Sequence, residues 1–295
     1  IRLVGAPPSS IGKFGSDTDN WVWPRHTGDF SMFRIYADKN NNPAEYSVDN
    51  VPYKPKYFLP VSIKDKQEND FTFVFGFPGR TTEYLPSIAV EKIMTEIDPA
   101  MISVREVALK TLDEKMRSDK ETKIKYASKY ASVANYWKKW IGEVEGLEKS
   151  DAVGKKKKYE QSLIAKNPQI KTTLDEMNAL YTEQAPYVLN KAYYSETVRN
   201  AETFTLANFY YNYIPAMESG KLDAKALETM KSRLSGIYKD YDPALDAKVL
   251  AKLLALYVNK TKPQFLPDGF AKYKDEKQNL EMIENLSKNS LITGR

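Results

Sequence analysis

A chain of 295 residues is long enough for two domains and a sizeable core. Its 42% hydrophobic and 28% charged content is that of an ordinary globular protein with no apolar run long enough to span a membrane, and its lack of cysteine excludes disulfides, thiolate metal sites and cysteine nucleophiles. One histidine excludes a histidine-rich metal centre, and the net charge of +5 is mild and spread along helical sequence, which argues against a nucleic-acid partner.

The chain opens on Ile1-Arg2-Leu3-Val4, which reads as the middle of a strand, and the expectation is a piece of a longer protein. Strand-like runs at 1–5, 29–37 and 71–77 share the first part with turn chemistry at Asn40-Asn41-Asn42-Pro43 and Asp49-Asn50-Val51-Pro52. Phe71-Thr72-Phe73-Val74-Phe75 is aromatic and β-branched between turn signals, as strands are. Residues 1–85 therefore read as part of an antiparallel β domain.

Past residue 86 the period becomes helical. Ala127, Tyr130, Ala134, Trp137, Ile141 and Val144 recur at three and four, as do Leu227, Met230, Leu234 and Ile237, and again Leu245, Val249, Leu253 and Leu256. Leu222-Asp223 opens one helix, and Asp242-Pro243 opens another with the acid at the N-cap and proline at the first helical position. Residues 86–295 read as an all-helical bundle of about six to nine helices, antiparallel where loops are short.

Chemistry concentrates in residues 15–30, Gly-Ser-Asp-Thr-Asp-Asn-Trp-Val-Trp-Pro-Arg-His-Thr-Gly-Asp-Phe, just before the strand pattern Phe30–Tyr36. Three acids, two indoles, an amide and the only histidine crowd one turn-rich stretch, where polar groups cost stability unless something uses them. Asp17-Thr18-Asp19-Asn20 is not a calcium loop, because Val22 and Gly28 stand where glycine and glutamate are needed. Gly12-Lys13-Phe14-Gly15 lacks the spacing of a phosphate loop. Lys155-Lys156-Lys157-Lys158 reads as a solvated helix start or loop, and Tyr136-Trp137-Lys138-Lys139-Trp140, Tyr193-Tyr194 and Tyr210-Tyr211 as helix–helix packing.

The 15–30 segment resembles the signature of the dipeptidyl-peptidase 7 and 11 family of bacterial serine exopeptidases. Gly76-Phe77-Pro78-Gly79-Arg80 belongs to the same resemblance and reads as structural. The resemblance implies that Asp29, in His-Thr-Gly-Asp-Phe, is the aspartate of a Ser-His-Asp triad, accepting the imidazole N–H and stabilising the imidazolium. The bland alternative is a surface acid capping a Thr-Gly turn. Asn20 and Trp21 are implied to hold the substrate's free ammonium, which needs amide, carbonyl or carboxylate acceptors. The alternative there is an Asx-turn followed by a packing indole. His26 lies too close to Asp29 in sequence to serve both a carboxylate and a nucleophile, and is expected to be structural. The resemblance implies that the triad histidine lies upstream of Ile1 and the serine downstream of Arg295, and neither Ser9 nor Ser10 is marked as activated.

The resemblance implies an α+β chain: the C-terminal part of a chymotrypsin-like antiparallel β-barrel over 1–85, then an inserted α-helical cap domain over 86–295. It implies a serine dipeptidyl-peptidase that releases dipeptides through an acyl-enzyme, with no cofactor and no metal. Peptides with a free N-terminus are the expected partners, with a homodimer as the full-length protein, in the periplasm or at the surface of a Gram-negative bacterium. The rival reading is a non-catalytic helical interaction module on a β scaffold.

Overall fold

The computed structural model describes residues 1–15, 26–73, 75–76, 82, 84–220 and 223–290. The chain divides into two compact units, Ile1–Glu83 and Tyr84–Arg295.

In the first unit, strand β1 (Arg2–Gly5) is followed by a single helical turn, α1 (Ser9–Gly12). β1 pairs antiparallel with β2 (Met32–Arg34), Arg2 opposite Arg34 and Leu3 opposite Phe33, with an irregularity between Leu3 and Gly5. β3 (Tyr36–Ala37) pairs antiparallel with β4 (Val51–Pro52). The Arg2 guanidinium lies 4.2 Å from the centre of the Tyr36 ring. The connection after β3 turns at Asp38, whose Oδ1 accepts from the backbone N–H of Asn40 and Asn42, both at 2.8 Å. Asn41 then takes φ 67°, and its side chain ties back to the Lys54 backbone at 2.9 and 2.8 Å. Asparagine adopts this left-handed conformation more readily than most residues.

Among the described residues the chymotrypsin-like barrel expected over 1–85 is absent, and most of the chain is helical. The described strands form two separate two-stranded sheets, and each strand has one partner. A barrel closes only when its strands are hydrogen-bonded on both sides. Residues 71–73, read as a strand, pair with nothing among the described residues. Phe71, Phe73 and Phe75 are exposed. Aromatic and β-branched sequence marks a segment that fits a sheet, but sheet formation needs a neighbour.

The second unit is helical. Helix α2 (Ser87–Lys92) runs through a π-helical turn, Ile93–Ile97, into α3 (Asp98–Ser118). Then come α4 (Lys120–Lys149), α5 (Ala152–Lys166), α6 (Ile170–Asn200), α7 (Glu202–Glu218), α8 (Ala224–Asp240), α9 (Pro243–Lys260) and α10 (Glu276–Lys288). Short 3₁₀ turns, Pro263–Phe265 and Phe270–Lys272, lead from α9 to α10.

Helix α9 is central. Leu245, Val249, Leu253 and Tyr257 pack with Ala100, Val104, Ala108 and Leu112 of α3, Tyr126 of α4 and Tyr193 of α6. Its other side, with Ala247, Leu250 and Ala251, packs against Ala201 and Ile283. The stripe Leu245, Val249, Leu253 and Leu256 thus marks only part of the buried surface. In α4 the buried residues are Thr122, Tyr126, Val133, Ala134 and Trp140, whereas Ala127 faces solvent.

Acid caps hold several of the helix starts. The Asp242 carboxylate accepts from the N–H of Ala244 and Leu245, both at 3.0 Å, and Asp223 from Ala226 at 2.7 Å. Two caps come from other helices. Glu160 of α5 accepts from the Ser87 N–H and hydroxyl at the start of α2, both at 2.6 Å. Asp246 of α9, 1% exposed, accepts from the N–H groups of Glu202 and Thr203 at 2.7 and 2.8 Å and from the Thr203 hydroxyl at 2.5 Å.

One buried ion pair joins three helices. Arg105 Nε on α3 donates to Glu196 Oε2 on α6 at 2.7 Å, and Arg105 Nη1 donates to the Val133 carbonyl on α4 at 3.0 Å. The guanidinium lies 4.8 Å from the Trp140 ring centre and 5.3 Å from that of Tyr136. Both charged side chains are nearly inaccessible.

Candidate functional site

The turn that carries Asp29 is fastened to the helical turn α1. The Gly28 N–H donates to the Ile11 carbonyl at 3.1 Å, and the Thr27 hydroxyl to the Phe14 carbonyl at 3.1 Å. A Cβ at position 28 would lie 3.0 Å from Ile11 Cγ2, so any larger residue would need the Ile11 side chain to shift by a few tenths of an ångström. The His26 ring meets Phe14 edge-on at 6.4 Å between centroids. His-Thr-Gly is therefore consumed in anchoring, and Asp29 is the first residue beyond the anchor before β2.

Asp29 is exposed, and its carboxylate makes no hydrogen bond or ion pair among the described residues. His26 and Asp29 form no pair with each other; the imidazole serves the contact with Phe14. Asn20 and Trp21 lie outside the described residues, as does most of Gly76–Arg80. Ser9 and Ser10 begin α1 and are exposed, with no base hydrogen-bonded to either hydroxyl among the described residues. No group of three or more His, Asp or Glu side chains there is arranged to hold a metal ion, and no described helix is long and apolar enough to cross a membrane. The lysine run falls inside α5, where Lys157 pairs with Glu91 at 3.0 Å.

One chemically unusual group was not visible in the sequence. Asp98, at the start of α3, is 3% exposed and its Oδ2 has no hydrogen-bond partner among the described residues. Burial raises its carboxyl to about 7, helped by the negative charge of Glu143 and opposed by Lys139. An Asp-Pro pair signals a helix start, and nothing local announces that the acid there will be desolvated.

Comparison with known proteins covers the whole chain. The peptidase S46 family matches residues 1–294. An Asp/Glu-specific dipeptidyl-peptidase of Flavobacterium psychrophilum is 52% identical over 278 residues, 90% of this chain and 39% of that protein. A dipeptidyl-peptidase 7 of Porphyromonas gingivalis is 42% identical, over 94% of this chain and 39% of its own length. Among solved structures, Porphyromonas endodontalis DPP11 in complex with the dipeptide Arg-Glu superposes with a TM-score of 0.74 at 32% identity, covering 97% of this chain and 43% of that one. The chain thus spans about two-fifths of the length of the relatives it matches. The match runs through both units, and on its extent and identity the chain is a member of the peptidase S46 family.

Proposed function

We propose that this chain supplies the acid of a Ser-His-Asp triad and the amino-terminal anchor of a serine dipeptidyl-peptidase, and that Asp29 is the acid. Membership of the S46 family along the whole chain carries the reading, since the similar relatives are dipeptidyl-peptidases. The mounting of Asp29 supports it: a carboxylate that must orient an imidazole belongs on a rigid support, and the preceding three residues are each tied to α1 or the turn after it.

In this reading the triad histidine and serine come from parts of the protein outside residues 1–295. The serine Oγ attacks the carbonyl of the second residue of the peptide while the histidine takes its proton, and Asp29 accepts the imidazole N–H and steadies the resulting cation. The histidine returns the proton to the departing amine, and water then hydrolyses the ester to free the dipeptide. Asn20 and Trp21 hold the substrate ammonium, which sets cleavage two residues from the end. The preference at the scissile bond is placed with Asp and Glu, after the names of the relatives at 52% and 48% identity. The whole enzyme is placed in the periplasm or at the cell surface, as a homodimer.

The test is made in the intact enzyme. Asp29→Asn keeps the shape but favours the wrong imidazole tautomer, and kcat is expected to fall by roughly 10⁴. His26→Ala, which among the described residues loses the ring contact with Phe14, is expected to cost far less. Equal losses in the two variants, or a larger loss for His26→Ala, would overturn the assignment.

A further inference from the structure

A costly helix irregularity faces one cavity. The π-helical turn Ile93–Ile97 lines it on one side, where α2 passes into α3. Helix α6 lines it on the other with Tyr181, Ala185 and Val188, and Pro186 sits in the interior of that helix. A π turn is rare and tends to be kept at functional sites. An internal proline removes one helical hydrogen bond and bends the helix. The π turn borders the space directly, and Pro186 lies in the stretch of α6 that supplies the opposite wall, which points to use of the space.

The cavity holds about 150 Å³, and its walls are mainly apolar. An apolar cavity of about that size stays dry and accepts a guest as large as benzene. Its polar edge is made by Gln184 and by Lys92 and Glu96, the last two paired four residues apart with side chains 24% and 33% exposed. A guest carrying one charge would satisfy one member of this pair and strand the other. A guest with an ammonium and a carboxylate on the same carbon satisfies both, the ammonium on Glu96 and the carboxylate on Lys92, in a closed ring of alternating charges.

We infer that this cavity binds a small zwitterion with an apolar side chain, of the class of free leucine, its side chain between the π turn and α6 and its charged head at Lys92 and Glu96. The site lies wholly within the helical unit and is independent of the peptidase reading.

Calorimetric titration of the purified full-length protein with L-leucine, glycine and hexanoate tests it. Leucine is expected to bind saturably, glycine not at all, and hexanoate, which lacks the ammonium, at least tenfold more weakly by the usual value of a charged hydrogen bond, about 1.5 kcal/mol or more. Ala185→Phe fills the cavity and should abolish leucine binding. Should that variant fail to fold, Glu96→Gln at the partly exposed rim serves, with an expected tenfold loss for leucine and none for hexanoate. Absence of saturable leucine binding, equal affinity for leucine and either other probe, or unchanged affinity in folded Ala185→Phe would each overturn the inference. So would leucine binding that Asn20→Ala removes and Glu96→Gln leaves intact, because leucine would then occupy the proposed peptidase site.

Discussion

Asp98 holds its proton where a carboxylic acid in water would have lost it. Its carboxyl is raised from 3.8 to about 7 by burial first and by Glu143 second. Between those values the folded state binds a proton that the unfolded state has released. Stability therefore falls as pH rises through that window and levels off above it. Asp98→Asn removes the titrating group while keeping its shape. The variant should match wild type near pH 4 and exceed it by up to about 4 kcal/mol above pH 7, the equivalent of roughly three pH units. Urea unfolding across that range reads the difference, and parallel curves at all pH values would contradict it. Asn20 has a different signature, because its proposed partner is the substrate. Asn20→Ala should lower kcat/KM about 10- to 150-fold for a peptide with a free amino terminus, the equivalent of one hydrogen bond to a charged group. The same peptide with an acylated terminus should hardly change. A uniform loss on both would assign Asn20 to folding. Asn20 and Asp29 are proposed from a dense local motif, whereas the burial of Asp98 is set by helices distant in sequence.

At the scale of elements, Arg105 and Glu196 show what a buried pair demands. Glu196 also accepts from the Asn200 side chain, and its own carbonyl receives a second bond from the same amide at 2.7 Å. Glu196→Ala would leave the Arg105 guanidinium desolvated, with only the Val133 carbonyl and the flanking rings. Breaking one side of such a pair costs about 3–5 kcal/mol, while replacing both with apolar residues of similar volume is often neutral. Glu196→Met with Arg105→Met should thus be more stable than Glu196→Ala, and a denaturant series on single and double variants measures the coupling. If the double replacement is the least stable, the pair is worth more than its desolvation. Helix starts were legible here, since Asp223 and Asp242 cap as their positions foretold. Helix faces were legible in part. A three-and-four period finds one stripe, but α9 is buried on two sides, and periodicity does not announce the second. The π turn was not legible, because its extra residue is accommodated by packing between α2, α3 and α6.

At the scale of the whole molecule the two units differ in what they bury. Residues 84–295 have a continuous core around α9. In the first unit Leu59, Ile63 and Phe75 are 92%, 96% and 96% exposed, a density of bare apolar surface that a stable isolated domain rarely carries. Residues 84–295 alone should melt cooperatively by circular dichroism, and residues 1–83 alone should not. A cooperative transition in the shorter piece would contradict the reading. On the proposed triad, residues 1–295 together should release no dipeptide from a chromogenic substrate, since an aspartate without its histidine cannot activate a serine. The error about the barrel belongs to this scale. Strand-forming sequence was visible near 1–5 and 29–37, but closure is a property of partners, and the runs do not name them.

The capping of α7 by Asp246 has a kinetic consequence. The first amides of a helix ordinarily exchange with solvent within its fraying ends. Here the N–H groups of Glu202 and Thr203 end on a carboxylate rooted in the most buried helix of the molecule. Their deuterium uptake should be governed by the opening of α9 rather than by the end of α7. Two amides at a helix start would then belong to the slowest-exchanging set in the protein, and Asp246→Ala would release them while leaving the middle of α9 slow.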